Sequence, residues 1–120
     1  MKKIILEVIP HNKQRYDTVG DYWEDKDGCW QFRVSDMGDS DYELAVFVHE
    51  LLEKALCAKA GIKDVDIDVF DMTYPGEGEP GDDKNAPYHL QHILATMLEK
   101  AWIRLNERDW DEYGRRVNNV

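Results

Sequence analysis

The chain has 120 residues, of which 42% are hydrophobic and 33% are charged, and its formal net charge is −10 at pH 7. This length and composition predict a single globular domain over residues 1–120. The acidic excess excludes a nucleic-acid-binding surface, because phosphates would be repelled, and no apolar stretch is long enough to predict a membrane partner.

The N-terminus and the cysteines together predict a cytoplasmic location. A basic pair precedes a short apolar run, but Glu7 and Pro10 end that run too early for a signal peptide. Without a secretory signal, Cys29 and Cys57 are expected to be free thiols in a reducing compartment.

The first 35 residues predict a strand followed by a β-hairpin. Lys3–Ile9 has the composition of a strand, and Pro10 ends it. Gly20–Trp23 and Cys29–Ser35 flank an Asp-Gly pair at residues 27–28, which is typical of a tight turn between antiparallel strands.

A long helix is predicted to follow this hairpin. Ser40 and Glu43 have the spacing of a capping box, so the helix should begin near Asp41. Gly61 stands where a glycine commonly ends a helix, so the helix should stop there.

Within this helix, His49 and Glu53 lie one turn apart among apolar residues, close enough to hold one ion. The sequence H-E-x-x-E differs from the zinc-protease pattern H-E-x-x-H only in Glu53. Glu50 points about 100° away from His49, which suits a general base. The alternative is a structural hydrogen bond between His49 and Glu53, with Glu50 paired to Lys54 on the surface.

The segment Ile62–Tyr74 fits two different structures. Val65, Ile67 and Val69 alternate with aspartates, as in a strand. Val65, Val69 and Met72 equally fit one face of a short helix that packs on the core. Both interpretations stay open at this stage.

Residues 75–86 predict a loop, because they contain three glycines and two prolines. Eight acidic residues and no Lys or Arg occur between positions 64 and 83, which is typical of a solvated edge. We expect one of Asp71, Asp82 and Asp83 to orient a metal-binding imidazole and the others to be solvated.

A second long helix is predicted from Asn85–Pro87 to Asn106, followed by a short closing helix at Glu112–Val117. One side of the second helix carries His92 and Glu99 and could equally be a solvated face. The opposite side is an apolar stripe, which should pack on the core: Leu90, Leu94, Met97, Leu98, Ala101 and Leu105.

These elements predict an α+β fold, in which a small hairpin or sheet packs on two long helices. A divalent metal, zinc above all, could then be held by His49, Glu53 and His92, with a fourth position open to water. His89 and Glu99 are alternative ligands. The carboxylates weaken the preference for zinc and leave the identity of the metal open.

Six phrases of the chain resemble a family of small phage and bacterial proteins that carry a zincin-like helix. They are RYDTVGDYW (15–23), RVSDMG (33–38), VHELLE (48–53), FD (70–71), EPGDD (79–83) and APYHLQH (86–92). The resemblance implies a minimal zincin-like core with a metal site, and it favours His92 over His89 as the third ligand. It supports a metal site more firmly than it supports proteolysis.

The leading hypothesis is a metal-dependent hydrolase of zincin type, for example a peptidase that binds an extended peptide along the hairpin edge. A second hypothesis is a magnesium-dependent nucleotide phosphohydrolase, with Glu50, Glu53 and Glu99 as oxygen ligands. A third is a non-catalytic protein in which the metal joins the helices. The oligomeric state stays open.

Overall fold

The computed structural model describes all 120 residues and confirms the α+β class. A three-stranded sheet precedes four helices, and two short 3-10 turns lie at His11–Lys13 and Pro80–Asp82. The elements are β1 Ile4–Ile9, β2 Gly20–Glu24, β3 Trp30–Ser35, α1 Ser40–Ala60, α2 Asp64–Thr73, α3 His89–Leu105 and α4 Trp110–Val117. None of the helices has the length and apolar character needed to cross a membrane.

The sheet has the order β1-β3-β2, with β3 in the centre. The predicted hairpin is confirmed, since β2 and β3 pair antiparallel and Gly28 takes the left-handed conformation (φ 79°) at their turn. β1 pairs parallel to β3, which a hairpin pattern alone does not predict. Phe32 and Val34 of β3 are fully buried against α1, so the sheet packs on this helix. The strand order makes β1 and β2 the two edge strands.

Helix α1 runs from Ser40 to Ala60 and ends, as predicted, at Gly61 in the left-handed conformation (φ 74°). Its cap differs from the prediction. Asp39 accepts hydrogen bonds from the N–H groups of residues 41 and 42, and Glu43 reaches back to the N–H groups of residues 37 and 38. The carboxylate of Asp39 therefore caps the helix in place of the Ser40 hydroxyl.

The segment that the sequence left open is the helix α2, Asp64–Thr73. The side that packs inward carries Ile67, which is 3% exposed. Val65, Val69 and Met72 are more than half exposed, so the expectation that they face the core is wrong. Asp64 anchors the start of this helix, because it accepts from Lys54 Nζ (2.7 Å) and the Glu24 N–H (2.9 Å).

Helix α3 begins at His89, two residues later than Pro87, and ends at Leu105 as expected. Its buried side carries His92, Ala95 and Ile103. The six-residue apolar stripe was predicted to pack on the core, and this is wrong: Leu90, Leu94, Met97, Leu98 and Leu105 are 40–83% exposed. The polar side turns inward because its imidazole and carboxylate groups find partners on α1.

The closing helix α4 begins at Trp110, earlier than the predicted Glu112, because Asp109 caps it. Tyr113 from this helix packs with Tyr42 and Ile103 into the core between α1, α3 and α4. Both cysteines are free and buried. Helix α1 thus has the sheet on one side and α3 on another.

Candidate metal centre

Two side chains of α1 and one of α3 form the centre of the candidate site. Glu53 Oε2 lies 2.9 Å from Nε2 of His49 and 2.9 Å from Nδ1 of His92. All three residues are at most 5% exposed, so His92 does not lie on a solvated face. The structure therefore brings together the three residues that the sequence analysis selected as metal ligands.

The second nitrogen of each imidazole also contacts a carboxylate. His49 Nδ1 lies 2.8 Å from Glu99 Oε1. His92 Nε2 lies 3.0 Å from both Asp82 Oδ1 and Glu79 Oε2. Carboxylates in this position fix the orientation of a ligating imidazole and increase its basicity. Glu99, an alternative ligand in the sequence analysis, contacts Nδ1 of His49, whereas Glu53 contacts the other ring nitrogen, Nε2.

Two tyrosines hold the carboxylates in place. Tyr22 on β2 donates a 2.7 Å hydrogen bond to Glu53 Oε1, and Tyr113 on α4 donates to Glu99 Oε2. The second carboxylate oxygen of Glu53 and that of Glu99 are thus hydrogen-bonded, as buried polar groups require. Sequence reasoning missed both tyrosines and Glu79, because their proximity depends on how β2, α4 and the loop fold back on the two helices.

Burial and hydrogen bonding compete in setting the charges of this cluster. Burial raises the pKa of Glu53, but hydrogen bonds from His49 and His92 outweigh it and lower that pKa to about 2. Burial lowers the pKa of His92, but hydrogen bonds to Glu53 and Glu79 raise it to about 10. The pKa of His49 is raised for the same reason, by Glu53 and Glu99. The imidazoles therefore hold protons that a divalent cation would displace.

The donor set fits a divalent transition metal. Two imidazole nitrogens and a carboxylate oxygen, all within 4.8 Å of one another, match the ligands that zinc accepts in sites with an open position. A second group of donors, His92 Nε2 with Glu79 and Asp82, lies on the outer side of the same imidazole. The inner group is fully buried, whereas the side chains of Glu79 and Asp82 are 56% and 62% exposed.

Glu50, the predicted general base, faces a cavity beside this cluster. Burial, and next the negative charge of Glu53, raise the pKa of Glu50 well above its usual range. The alternative pairing of Glu50 with Lys54 is wrong, because Lys54 Nζ pairs with Asp64 at 2.7 Å. Gly20 leaves room for the carboxylate: a Cβ atom there would lie 2.6 Å from Glu50 Oε1.

The cavity has a volume of about 500 Å³ and lies between α1, β2, α2 and the loop before α3. Eight carboxylates and three histidines line it, with no Lys or Arg. Phosphate groups would be repelled by such walls unless several cations were bound. The edge strand β2 contributes Gly20, Asp21 and Tyr22 to the same walls.

The hydrogen bonds of His89, Asp71 and Asp83 go to groups other than the candidate metal ligands. His89 Nδ1 contacts the carbonyl oxygen of Gly81 at 2.8 Å, so this ring supports the loop. Asp71 accepts from the hydroxyl groups of Tyr16 and Tyr88, whereas the carboxylate of Asp83 accepts from a backbone N–H. Of the three aspartates proposed to orient an imidazole, Asp82 is the one that contacts His92. The expectation that the others are solvated is wrong for Asp71, which lies in α2 and is half-buried between two tyrosines.

Comparisons of the chain with models of protein families, with curated proteins and with solved structures found no match.

Proposed function

We propose that this protein is a metal-dependent hydrolase of zincin type, with His49, Glu53 and His92 as ligands of a divalent metal, zinc above all. The observation that carries the proposal is the convergence of these three donors beside Glu50 in a cavity. The carboxylates behind both imidazoles support it further, because a metal site needs its ligands oriented.

The metal would supply Lewis-acid polarisation of a carbonyl group and lower the pKa of water. The chain itself supplies the proton transfer. Glu50 lies one residue from His49 on α1 but turns toward β2 and the cavity, so it can accept a proton without acting as a ligand. Burial raises the pKa of Glu50 above its usual range, so this carboxylate binds a proton more tightly than an exposed one does.

An extended peptide is the substrate that the cavity supports best. The Asp25 N–H donates to Cys29 O and the Ser35 N–H to Val19 O at the two ends of the β2–β3 ladder. Ladder hydrogen bonds alternate along antiparallel strands, so the backbone groups of Gly20 and Tyr22 face away from β3, where the Gly20 carbonyl also accepts a hydrogen bond from the Thr18 hydroxyl. A peptide strand added there would lie beside Glu50 and Glu53, which contact these two residues of β2.

The nucleotide phosphohydrolase hypothesis has less support. It requires Glu99 and Glu53 to hold the same ion, but Glu99 contacts Nδ1 of His49 whereas Glu53 contacts Nε2, so the imidazole ring lies between the two carboxylates. Two imidazoles also suit magnesium poorly, since it prefers oxygen ligands. The absence of Lys and Arg from the cavity walls leaves a nucleotide's phosphates without a protein partner.

The experiment is elemental analysis of protein purified without chelator, followed by hydrolysis assays on a peptide library. Wild type should contain one equivalent of metal and His49→Ala essentially none. His89→Ala is the matched control and should keep the metal, because His89 contacts only the loop carbonyl. A full equivalent in His49→Ala contradicts the site. Metal without any peptide hydrolysis would instead favour the non-catalytic role.

A further inference from the structure

The apolar stripe of α3 has no partner within the chain. Leu105, Leu90 and Met97 are 83%, 64% and 62% exposed, and Leu98 and Leu94 are 48% and 40% exposed. Together with Ala101 these residues recur at helical spacing along one side of α3, with no charged residue among them. A single exposed leucine needs no explanation, but a continuous stripe of this length does.

A second stripe follows the neighbouring helix α1. Leu44, Val48, Leu52 and Ala55 lie on one side of it, with Leu44 39% exposed and the other three partly exposed. Val46, two residues from Leu44 and thus about 200° around the helix, packs instead against Val34 of the sheet. The α1 stripe therefore lies on the side of this helix away from the sheet.

The two stripes form one continuous surface. Asp41, His49 and Glu53 of α1 contact Trp102, Glu99 and His92 of α3 in that order, so the two helices are antiparallel. Leu52 directly precedes Glu53, which faces α3, and Leu98 directly precedes Glu99, which faces α1. Because the two helices are antiparallel, moving one residue toward the N-terminus rotates the side chain toward the same side of the pair on both helices. We call this surface of α1 and α3 the apolar face.

We propose that the apolar face binds a second copy of this chain, so that α1 and α3 of the two copies form a four-helix bundle. The largest apolar patch on a typical monomer covers about 300–600 Å², and a face with five Leu and Met side chains that are 40–83% exposed on α3 alone belongs at the upper end of that range. Two such faces would bury on the order of 1,200 Å², which reaches the range of specific, stable interfaces.

The shape and charge of the face favour a second copy over other partners. None of the residues that line the cavity beside Glu50 belongs to the face, so the face is not part of that cavity. A pair of antiparallel helices with an apolar outer side is completed by an identical pair around a twofold axis. The residues that define the face carry no charge, so none of these side chains brings a charge between the two copies.

This assembly leaves the candidate metal centre accessible. The cavity is lined by residues of β2, α2 and the loop before α3, whereas the apolar face lies on the side of α1 away from the sheet. The inference is therefore independent of the proposed hydrolase function, and the failure of one would not affect the other.

The test is the molar mass of the full chain by sedimentation equilibrium, from micromolar to millimolar concentration. Wild type should show twice the chain mass of 14.0 kDa. Leu94→Glu with Leu98→Glu should raise the dimer dissociation constant at least about a hundredfold, because it would bury four carboxylates in the interface. Val65→Glu with Val69→Glu is the matched control, with the same spacing on the exposed side of α2, and should leave the dimer unchanged.

A monomeric wild type at every concentration would overturn the proposal, as would a dimer that survives the Leu94/Leu98 change or dissociates in the control. So would a wild-type monomer that binds neutral phosphatidylcholine vesicles, because lipid would then cover the face. A second measurement needs no substitution. A soluble paramagnetic agent should broaden the NMR methyl signal of Met72 but not that of Met97, because both are more than half exposed in the single chain and only Met97 would be covered in the dimer.

Discussion

Glu99 Oε1 lies 2.8 Å from Nδ1 of His49, although fifty residues separate them in the chain. This contact joins the middle of α3 to the middle of α1 and leaves Nε2 of His49 facing Glu53. Tyr113 in turn donates a hydrogen bond to the other oxygen of Glu99. The orientation of the first candidate ligand is therefore set by residues of two other helices.

Replacing Glu99 with Gln should weaken metal binding without abolishing it. The amide keeps the size of the side chain but removes the negative charge behind His49, and such changes typically reduce metal affinity about 10–100-fold. Competition with a fluorescent zinc chelator would measure the change. Glu112→Gln, at an exposed position of α4, is the control. Complete loss of metal from Glu99→Gln would mean that Glu99 is itself a ligand.

The two donor groups on either side of His92 can be separated by mutation. If the metal lies between His49, Glu53 and His92, then Glu79→Gln combined with Asp82→Asn removes only supporting carboxylates. Metal affinity should then fall about 10–100-fold per supporting partner at most, while stoichiometry at saturation stays at one. If the metal lies on the outer side, the double variant loses it and Glu53→Gln keeps it.

The local features of the fold could be predicted from the sequence. The Asp-Gly turn, the glycine that ends α1 and the spacing of His49 and Glu53 each depend on residues within a few positions of one another. Such local chemistry is readable because turn and cap geometry restrict the residues that fit.

Features that depend on tertiary partners could not be predicted in the same way. The side of α3 with more apolar residues faces outward, because His92 and Glu99 are stabilised inside by partners on α1. Helical periodicity identifies two sides of a helix but does not identify which one is buried. Glu79 reaches His92 only because the loop folds back across the start of α3, where Gly81 packs against the His92 ring.

Asp71 should make the stability of the protein depend on pH. Burial raises the pKa of Asp71 from 3.8 to about 6, so the folded chain holds its proton more tightly than the unfolded chain. Between these values the folded state binds more protons, so the free energy of unfolding should decrease as the pH rises from about 4 to about 6.

Asp71→Asn removes this titration and should flatten that part of the stability profile. Urea unfolding at several pH values would measure it, with Asp66→Asn on the exposed side of α2 as control. If wild type and Asp71→Asn lose the same stability over this interval, Asp71 does not titrate as the structure indicates.

The mechanism depends on Glu50 and can be tested apart from metal binding. Glu50 lies beside His49 in the chain but turns toward Gly20 and the cavity, and its pKa is raised mainly by burial. In the proposed site His49, Glu53 and His92 would hold the metal, so Glu50 would be needed for proton transfer alone. Glu50→Gln keeps the size of the side chain and removes the base.

Once a peptide substrate has been found with wild type, Glu50→Gln should keep one equivalent of metal while the turnover number falls by about a hundredfold or more, the usual contribution of a general base. Elemental analysis and steady-state kinetics on the same preparation would measure both. Glu43→Gln is the control, because Glu43 only holds the N–H groups before α1. Loss of the metal in Glu50→Gln would make Glu50 a ligand, and unchanged turnover would exclude it as the base.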